Sequence, residues 1–408
     1  MTEHIADAAA DDAGSTSRGG KRRGDAVPVA VYLLGLSLFA MGSAEFLMGG
    51  ILQKIAEDLQ ISLPAAGTLI SAFAVGALIG APPLAIMTLH WPRRATLFFS
   101  QAAFIAATAS SLILEGYLGV LIARFVMGLA YACFWATAAS TAVQLVPPDR
   151  RAKALSVVVG GLTVAMIVGG PAGTFISDIT GWRGGFWAVI IASAAAAVAV
   201  VLTLPRKMAV DMPVPDTATE LRAMKRPVLW VAYATTAFTT AAYMGTFAYM
   251  GALLLDVTRL PIGWLPVALS LFGVGSFFGL IVGGRTADRY PLATLVVGVL
   301  GLIAISAGIS MLASYQIAAV VLVFFLGVAG FLLNPAVWAR VYMIAPDAPT
   351  LAGATNSSAF QLGLTFAPLL AGLPIGHGYG LASVGWVGAV LGAIALFLAF
   401  LDWRMGRA

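Results

Sequence analysis

Twelve long blocks of apolar residues determine what this chain can fold into. With 60% hydrophobic and 10% charged residues, its composition is unlike that of a soluble domain. A helix needs about 20 apolar residues to cross the hydrocarbon core of a bilayer. The pattern predicts an all-α polytopic membrane protein with twelve transmembrane helices. These spans lie at about 28–50, 64–88, 95–114, 117–142, 152–176, 185–204, 228–251, 264–284, 292–312, 315–339, 350–373 and 380–402.

The basic residues predict the orientation of the spans. An even number of spans places both termini on one side, and 19 of the 23 Lys and Arg residues fall on that side. The opposite side has Lys54, Arg183 and Arg259, and Arg124 lies within a span. Positive charge accumulates in the cytoplasm, so we expect both termini there, in a bacterial inner or plasma membrane. The net charge of +5 then reflects topology and gives no support to a nucleic-acid partner.

The chain divides into two halves of six spans each. Residues 1–27 are polar and predict a disordered cytoplasmic tail. Residues 205–227 form the longest internal polar stretch and predict a cytoplasmic linker between the halves 28–204 and 228–408. At an offset of 199 residues, six residues of span 2 and its loop recur: Ser71, Phe73, Val75, Gly76, Gly80 and Pro92 match Ser270, Phe272, Val274, Gly275, Gly279 and Pro291. Such a repeat predicts two pseudo-symmetric halves with a binding site between them at the midplane.

Glu45 and Arg124 are the clear ionisable side chains inside the predicted spans. Glu45 lies about five residues before the end of span 1, and Arg124 about eight residues into span 4, so we place them at similar depth. An ionised carboxylate in the membrane interior is expensive. Glu45 is therefore protonated part of the time, paired, or facing a wet cavity, and we interpret it as a proton-exchange site. The alternative is a structural ion pair with Arg124 that joins spans 1 and 4.

Two glycine-containing segments suggest moving or closely packed parts. Gly169, Gly170, Pro171 and Gly173 lie in span 5, where proline removes a backbone donor and glycines allow close helix packing. Gly284, Asp288 and Arg289 follow span 8 on the predicted cytoplasmic side. Asp288 can accept hydrogen bonds from a facing arginine or helix N-terminus when the halves close. The alternative for Asp288 is an ordinary solvated loop charge.

Aromatic and amide side chains within the spans are candidates for a substrate cavity. Buried Asn and Gln need partners, so they are expected to face the protein interior, although a neighbouring helix would serve as well as a substrate. Aromatic side chains near span ends also serve as interfacial anchors. The histidines at 4, 90 and 377 have no metal-ligand spacing, and no phosphate-binding loop occurs, so an enzyme, a metal or a cofactor has no support. The candidates are Tyr131, Trp135, Tyr243, Asn334, Asn356 and Gln361.

These motifs resemble the major facilitator superfamily, and within it the 12-span drug:proton antiporter-1 family. Arg124-x-x-x-Gly128 resembles the family's span-four motif, in which the arginine is associated with proton coupling. The segment at 169–173 is similar to the span-five antiporter motif, and Gly284-x-x-x-Asp288-Arg289 to the cytoplasmic loop motif. The first-half loop lacks the acid of that motif. Residues 42–46, 66–67, 71–76, 80–82, 170–174, 181–183 and 186–187 resemble the chloramphenicol-efflux branch.

The resemblance implies a monomeric, proton-coupled exporter of a small amphipathic compound, with chloramphenicol or a related phenicol as the expected substrate. Arabinose and nucleoside exporters share much of the pattern, so a sugar or nucleoside exporter is the alternative within transport. A non-transporting membrane sensor or scaffold is the alternative from another class, and the short tails argue against it. If the protein is such an exporter, its expected partners are the small-molecule substrate, protons and the surrounding lipid bilayer.

Overall fold

The first half consists of six helical spans, several of them interrupted. The computed structural model describes residues 27–87, 91–114, 116–147, 151–204, 222–287 and 289–405, and no strand occurs among them. We number the spans in chain order. They are Val29–Phe46 continued by Met48–Asp58 (span 1), Leu63–Met87 (span 2), Arg93–Ile113 (span 3), Tyr117–Gln144 (span 4), Arg151–Val164 continued by Ala165–Gly169 and Gly170–Thr180 (span 5), and Trp182–Thr203 (span 6).

The second half repeats this arrangement. By length and composition, eleven described helices can cross a membrane, and the bent pair in span 7 makes twelve when it is counted as one span. The predicted all-α membrane fold is therefore confirmed. The helices are Pro227–Ala248 continued by Met250–Ala252 and Leu253–Val257 (span 7), Leu265–Ala287 (span 8), Pro291–Leu312 (span 9), Gln316–Ile344 (span 10), Pro349–Gly376 (span 11) and Ser383–Met405 (span 12).

Span 1 differs from the prediction at its outer end. The apolar block ends near Gly50, but the helix continues to Asp58 after a break at Leu47. We call the side of the bundle opposite the two chain termini the outer side, and Met48–Asp58 the outer segment of span 1. Lys54 in this segment forms an ion pair with Asp178 of span 5, with Nζ 2.5 Å from Oδ1. Glu45 therefore lies near the middle of a longer helical run, and its distance from a membrane surface does not follow from Gly50.

Glycines bring corresponding helices into backbone contact in the two halves. A Cβ added to Gly128 of span 4 would lie 2.9 Å from the backbone nitrogen of Ala77 in span 2. A Cβ added to Gly327 of span 10 would lie 2.9 Å from the backbone nitrogen of Ser276 in span 8. Gly327 and Ser276 lie 199 residues after Gly128 and Ala77, which is the offset of the sequence repeat. The repeat seen in the sequence thus extends to the packing of spans 4 and 10.

The halves meet on the side of the bundle opposite the two chain termini. Ser71 in the outer part of span 2 donates a hydrogen bond to the carbonyl of Thr365 in span 11, at 2.7 Å. Gly273 of span 8 lies against the backbone of span 5, where its Cβ would be 2.6 Å from Cα of Ile167. The outer parts of spans 1 and 7 meet at Gly49 and Phe247. These contacts close the outer side of the interface between the halves.

Adding a methyl group at Gly128 tests the close packing of spans 2 and 4. We expect Gly128→Ala to destabilise the protein by about 1–3 kcal/mol, because the new atom overlaps the backbone of span 2. Gly301→Ala is the control, since nothing lies within 4 Å of a Cβ there. Alanine is the better helix former, so that change should be neutral or slightly stabilising. Equal melting temperatures of the two purified variants in detergent would contradict the packing argument.

Candidate functional site between the two halves

A small cavity of about 30 Å³ lies between the two halves, and Glu45 lines it. The first half contributes side chains from spans 1 and 2, and the second half contributes side chains from spans 7 and 11. Glu45 is the charged member of an otherwise apolar wall. The other lining residues are Phe46, Gly49, Ile70, Met244, Phe247, Ala248, Leu364, Ala367 and Pro368. A carboxylate among apolar side chains needs a proton or an opposite charge when water is excluded.

Glu45 and Arg124 lie close together, but they do not form an ion pair. The described ion pairs, within 4.0 Å, do not include these two residues. Arg124 nevertheless lies beside the acid, since its Nη1 is 3.2 Å from the carbonyl oxygen of Ala44, the residue before Glu45. Similar depth for the two charges was predicted, and the structure brings them into the same region.

Arg124 is held by backbone carbonyls of two neighbouring spans. Its Nη1 donates to the carbonyl of Ala44 in span 1 at 3.2 Å, and its Nε donates to the carbonyl of Leu69 in span 2 at 3.1 Å. The guanidinium carbon lies 4.8 Å from the ring centroid of Phe73, a cation–π distance. The side chain is 1% exposed, and its Nη2 has no hydrogen-bond partner. Arg124 therefore connects spans 1, 2 and 4 beside Glu45.

The span 5 segment predicted as an antiporter motif packs directly against the residues on both sides of Glu45. A Cβ on Gly170 would lie 2.8 Å from Cβ of Phe46, and one on Gly173 would lie 2.9 Å from Cδ1 of Leu47. One on Gly169 would overlap the side chain of Ser43. The π-helical turn Ala165–Gly169 leads into this contact, and Pro171 is the second residue of the helix that follows. Proline donates no backbone hydrogen bond, so the regular α-helical hydrogen bonding is interrupted where the π turn and this proline lie.

Two of the predicted aromatic residues form a cluster in the first half. Tyr131 is buried, with its ring centroid 5.4 Å from that of Phe73 and 6.3 Å from that of Trp135. Trp135 is half-buried. Phe73 of this cluster also contacts the Arg124 guanidinium. Neither Tyr131 nor Trp135 lines the cavity around Glu45.

The predicted cavity residues of the second half are spread over three spans. Tyr243 of span 7 is buried and packs against Phe331, with centroids 5.6 Å apart. Asn356 of span 11 is buried, and its Oδ1 accepts a hydrogen bond from Thr236 at 2.7 Å while its Nδ2 has no partner. Asn334 and Gln361 are half-buried on spans 10 and 11. None of these four side chains lines the cavity around Glu45, so a substrate role for them stays a prediction.

The predicted cytoplasmic closure lies partly outside the described residues. Asp288 is not among them, so its proposed role stays a prediction. Gly284, at the end of span 8, has nothing within 4 Å of a Cβ position, so no close contact there requires glycine. The Arg289 guanidinium lies 5.7 Å from the ring centroid of Tyr290.

Sequence reasoning missed most of the cavity wall. Phe247 and Met244 of span 7 and Leu364 and Pro368 of span 11 line the cavity, and each is an apolar residue in an apolar span. Only the packing of the halves shows which of these residues meet. Gly49 could have been predicted to line the cavity, because it lies four residues after Glu45 and therefore on the same face of span 1.

Three comparisons with known proteins agree with this architecture. Residues 34–356 match the Major Facilitator Superfamily. The chain is 38% identical to a chloramphenicol resistance protein of Streptomyces lividans, over 92% of this chain and 96% of that one. It is 32% identical to the inner membrane transport protein YdhP of Escherichia coli K12, over 91% of this chain and 95% of that one.

Solved structures share the fold at low sequence identity. A bacterial homologue of the human lysosomal transporter Spinster, in an inward-facing and occupied conformation, has a TM-score of 0.78 at 16% identity, covering 92% of this chain and 96% of that one. The nucleoside transporter NupG has a TM-score of 0.74 at 12% identity, covering 93% of this chain and all of that one. The fold, two six-helix halves with a site between them, is shared with these solved structures. The family match and the relatives at 38% and 32% identity identify a membrane transporter and not an enzyme. The chain belongs to the Major Facilitator Superfamily, as its motifs predicted.

Replacing Arg124 by lysine tests the guanidinium contacts. We expect Arg124→Lys to lower the stability of the protein by about 1.5–3 kcal/mol, because one ammonium group cannot reproduce the planar fork that reaches both Ala44 and Leu69. The measurement is thermal unfolding of purified protein in detergent. Arg259→Lys is the control, since Arg259 is exposed at a turn. If both variants melt at the same temperature, the two carbonyl contacts do not hold spans 1, 2 and 4 together.

Proposed function

We propose that this protein is a proton-coupled exporter of a small amphipathic molecule, and that chloramphenicol or a related phenicol is its substrate. The observation that carries the proposal is Glu45 on the wall of the cavity between the halves. A carboxylate there can bind a proton when one side of the membrane has access and release it when the other side has access. Substrate and proton then occupy the region around Glu45 at different stages of the cycle.

The chemistry of the cavity wall favours an amphipathic substrate over a sugar. Phe46, Phe247, Met244 and Leu364 offer apolar and aromatic surface, and Glu45 offers one polar group. A polyhydroxylated sugar would lose more hydrogen bonds to water than this wall could replace. The name of the Streptomyces lividans relative supports a phenicol, and we transfer that substrate to this chain as part of the proposal.

Arg124 has a supporting role in this mechanism. Because its Nη1 is bonded to the carbonyl of Ala44, any movement of span 1 near Glu45 changes the position of the guanidinium relative to the carboxylate. When the proton leaves, the nearby positive charge stabilises the carboxylate. We propose that Arg124 tunes proton exchange at Glu45 in this way.

Removing the charge of Glu45 tests the coupling. We expect Glu45→Gln to abolish export driven by a pH gradient, because the amide keeps the shape of the side chain but cannot exchange a proton. Resistance to chloramphenicol is measured in an efflux-deficient bacterium, and gradient-driven uptake in inverted vesicles, at matched membrane levels. Glu57→Gln is the control, since Glu57 is exposed on the same span.

Each outcome of this test decides one part of the proposal. If the wild type and Glu57→Gln confer resistance but Glu45→Gln does not, the result supports both phenicol export and proton exchange at Glu45. If Glu45→Gln also confers resistance, the substrate assignment is retained and the role of the carboxylate is structural. If the wild type gives no resistance, the phenicol assignment fails, and competition by arabinose or nucleosides against a fluorescent ligand tests the alternative cargo.

The orientation of the chain belongs to the same proposal. The basic residues favour both termini in the cytoplasm, in a bacterial inner membrane. We therefore expect a C-terminal green fluorescent protein fusion to fluoresce and a C-terminal alkaline phosphatase fusion to be inactive, since each reporter matures on one side only. The opposite pair of results would reverse the topology and the direction of transport.

A further inference from the structure

We infer that Gln53 and Asp256 form a releasable closure on the outer side of the Glu45 cavity, above a seal made by Phe247 against Gly49. The inference rests on the proposed function, because it names the contact that must open before Glu45 can exchange a proton with the outside. Neither Gln53 nor Asp256 lines the cavity itself.

Glu45, Gly49 and Gln53 lie on one face of span 1. They are spaced by four residues, and residues at this spacing stack along a helix. Glu45 and Gly49 line the cavity, and Gln53 lies about 6 Å further along the helix, at ~1.5 Å per residue. A route from Glu45 to the outer surface therefore follows this face, and whatever covers it controls access to Glu45.

Span 7 covers this face by direct contact with glycine. A Cβ on Gly49 would lie 3.2 Å from Cε1 of Phe247, and a Cβ on Gly251 would lie 3.2 Å from Cα of Gly50. The Phe247 ring is itself held in place by Phe272, with centroids 4.0 Å apart and planes at 19°. An aromatic ring supported from behind and pressed on a glycine closes the outer side of the cavity.

The outer segment of span 1 is tied to its own half by charged contacts. Lys54 pairs with Asp178 of span 5 at 2.5 Å. Asp58 pairs with Arg183 at 2.8 Å and also accepts a hydrogen bond from the indole of Trp182 at 3.0 Å. These bonds make the outer segment move together with the first half.

The contact across the halves is weaker. Gln53 Nε2 donates to the two carboxylate oxygens of Asp256 at 3.3 and 3.4 Å, so one partner is neutral and both distances are long. Its Oε1 is buried without a partner. A hydrogen bond with one charged partner is weaker than a charged pair. The closure therefore separates between Gln53 and Asp256 before the outer segment separates from its own half.

Cross-linking tests the closure. Cys133 is the single cysteine of the chain, so Cys133→Ser gives a cysteine-free background. In that background, Gln53→Cys with Asp256→Cys should cross-link with a short thiol-specific reagent whose bridge contains a disulfide. The export rate of the cross-linked protein should fall about tenfold or more and recover after reduction, because the outer side can no longer open.

Lys54→Cys with Asp178→Cys is the matched control, and its cross-link within one half should leave export unchanged. Unchanged export with the first pair cross-linked would overturn the inference.

A second measurement does not depend on the substrate. Glu45→Cys in the Cys133→Ser background is labelled from outside intact cells with a membrane-impermeant maleimide. Adding Asp256→Ala should speed this labelling by about threefold or more, whereas adding Asp178→Ala should not. Equal rates with and without Asp256→Ala would overturn the closure, even if export of phenicols is established. Faster labelling in a protein that exports no phenicol would retain the closure and reject the proposed substrate.

Discussion

The close contact between spans 1 and 5 is the interaction on which the site depends. Glycines at 169, 170 and 173 let span 5 reach the backbone of span 1 on both sides of Glu45. The carboxylate consequently projects away from span 5 and toward the second half. Larger residues at these positions would push span 1 outward and displace Glu45 from the cavity. A motif that looks like a hinge in the sequence thus also serves to position the acid.

The two halves supply corresponding positions to the cavity but unequal chemistry. At the offset of 199 residues, Glu45 corresponds to Met244, and both side chains line the cavity. Arg124 corresponds in the same way to Val323, which is buried. The repeated backbone therefore places one acid on the first-half side of the cavity, opposite a second-half side that is apolar throughout. Under the proposed mechanism, the first half handles the proton and the second half offers apolar surface to the substrate.

The spans and the repeat could be predicted because they depend on local pattern. A membrane helix must satisfy all of its backbone hydrogen bonds within itself, so apolar length alone identifies it. The end of span 1 could not be predicted this way. Its outer segment contains Gln53, Lys54 and Asp58, and ion pairs with Asp178 and Arg183 hold it against the first half. Those partners lie more than 120 residues away in the chain.

The cavity wall was beyond sequence reasoning for a related reason. A rare charge such as Glu45 is conspicuous in an apolar span, but Phe247 and Leu364 resemble dozens of other apolar residues. Their meeting is a property of how the halves pack, which the repeat predicts only in outline. Asn356 shows the converse case, because a conspicuous amide in span 11 bonds to Thr236 of its own half and does not line this cavity.

The arrangement of Arg124 explains how a charge can sit beside Glu45 without immobilising it. A guanidinium in the interior needs acceptors, and the carbonyls of Ala44 and Leu69 provide them. Arg124 therefore does not require the carboxylate as a partner, and no ion pair between described residues joins the two. Glu45 remains able to bind a proton, a water molecule or a substrate group. Its neighbour supplies an electrostatic bias and, through Nη2, one unused donor. A permanent pair would have fixed the acid in its ionised form, and an acid that exchanges protons must be free to change.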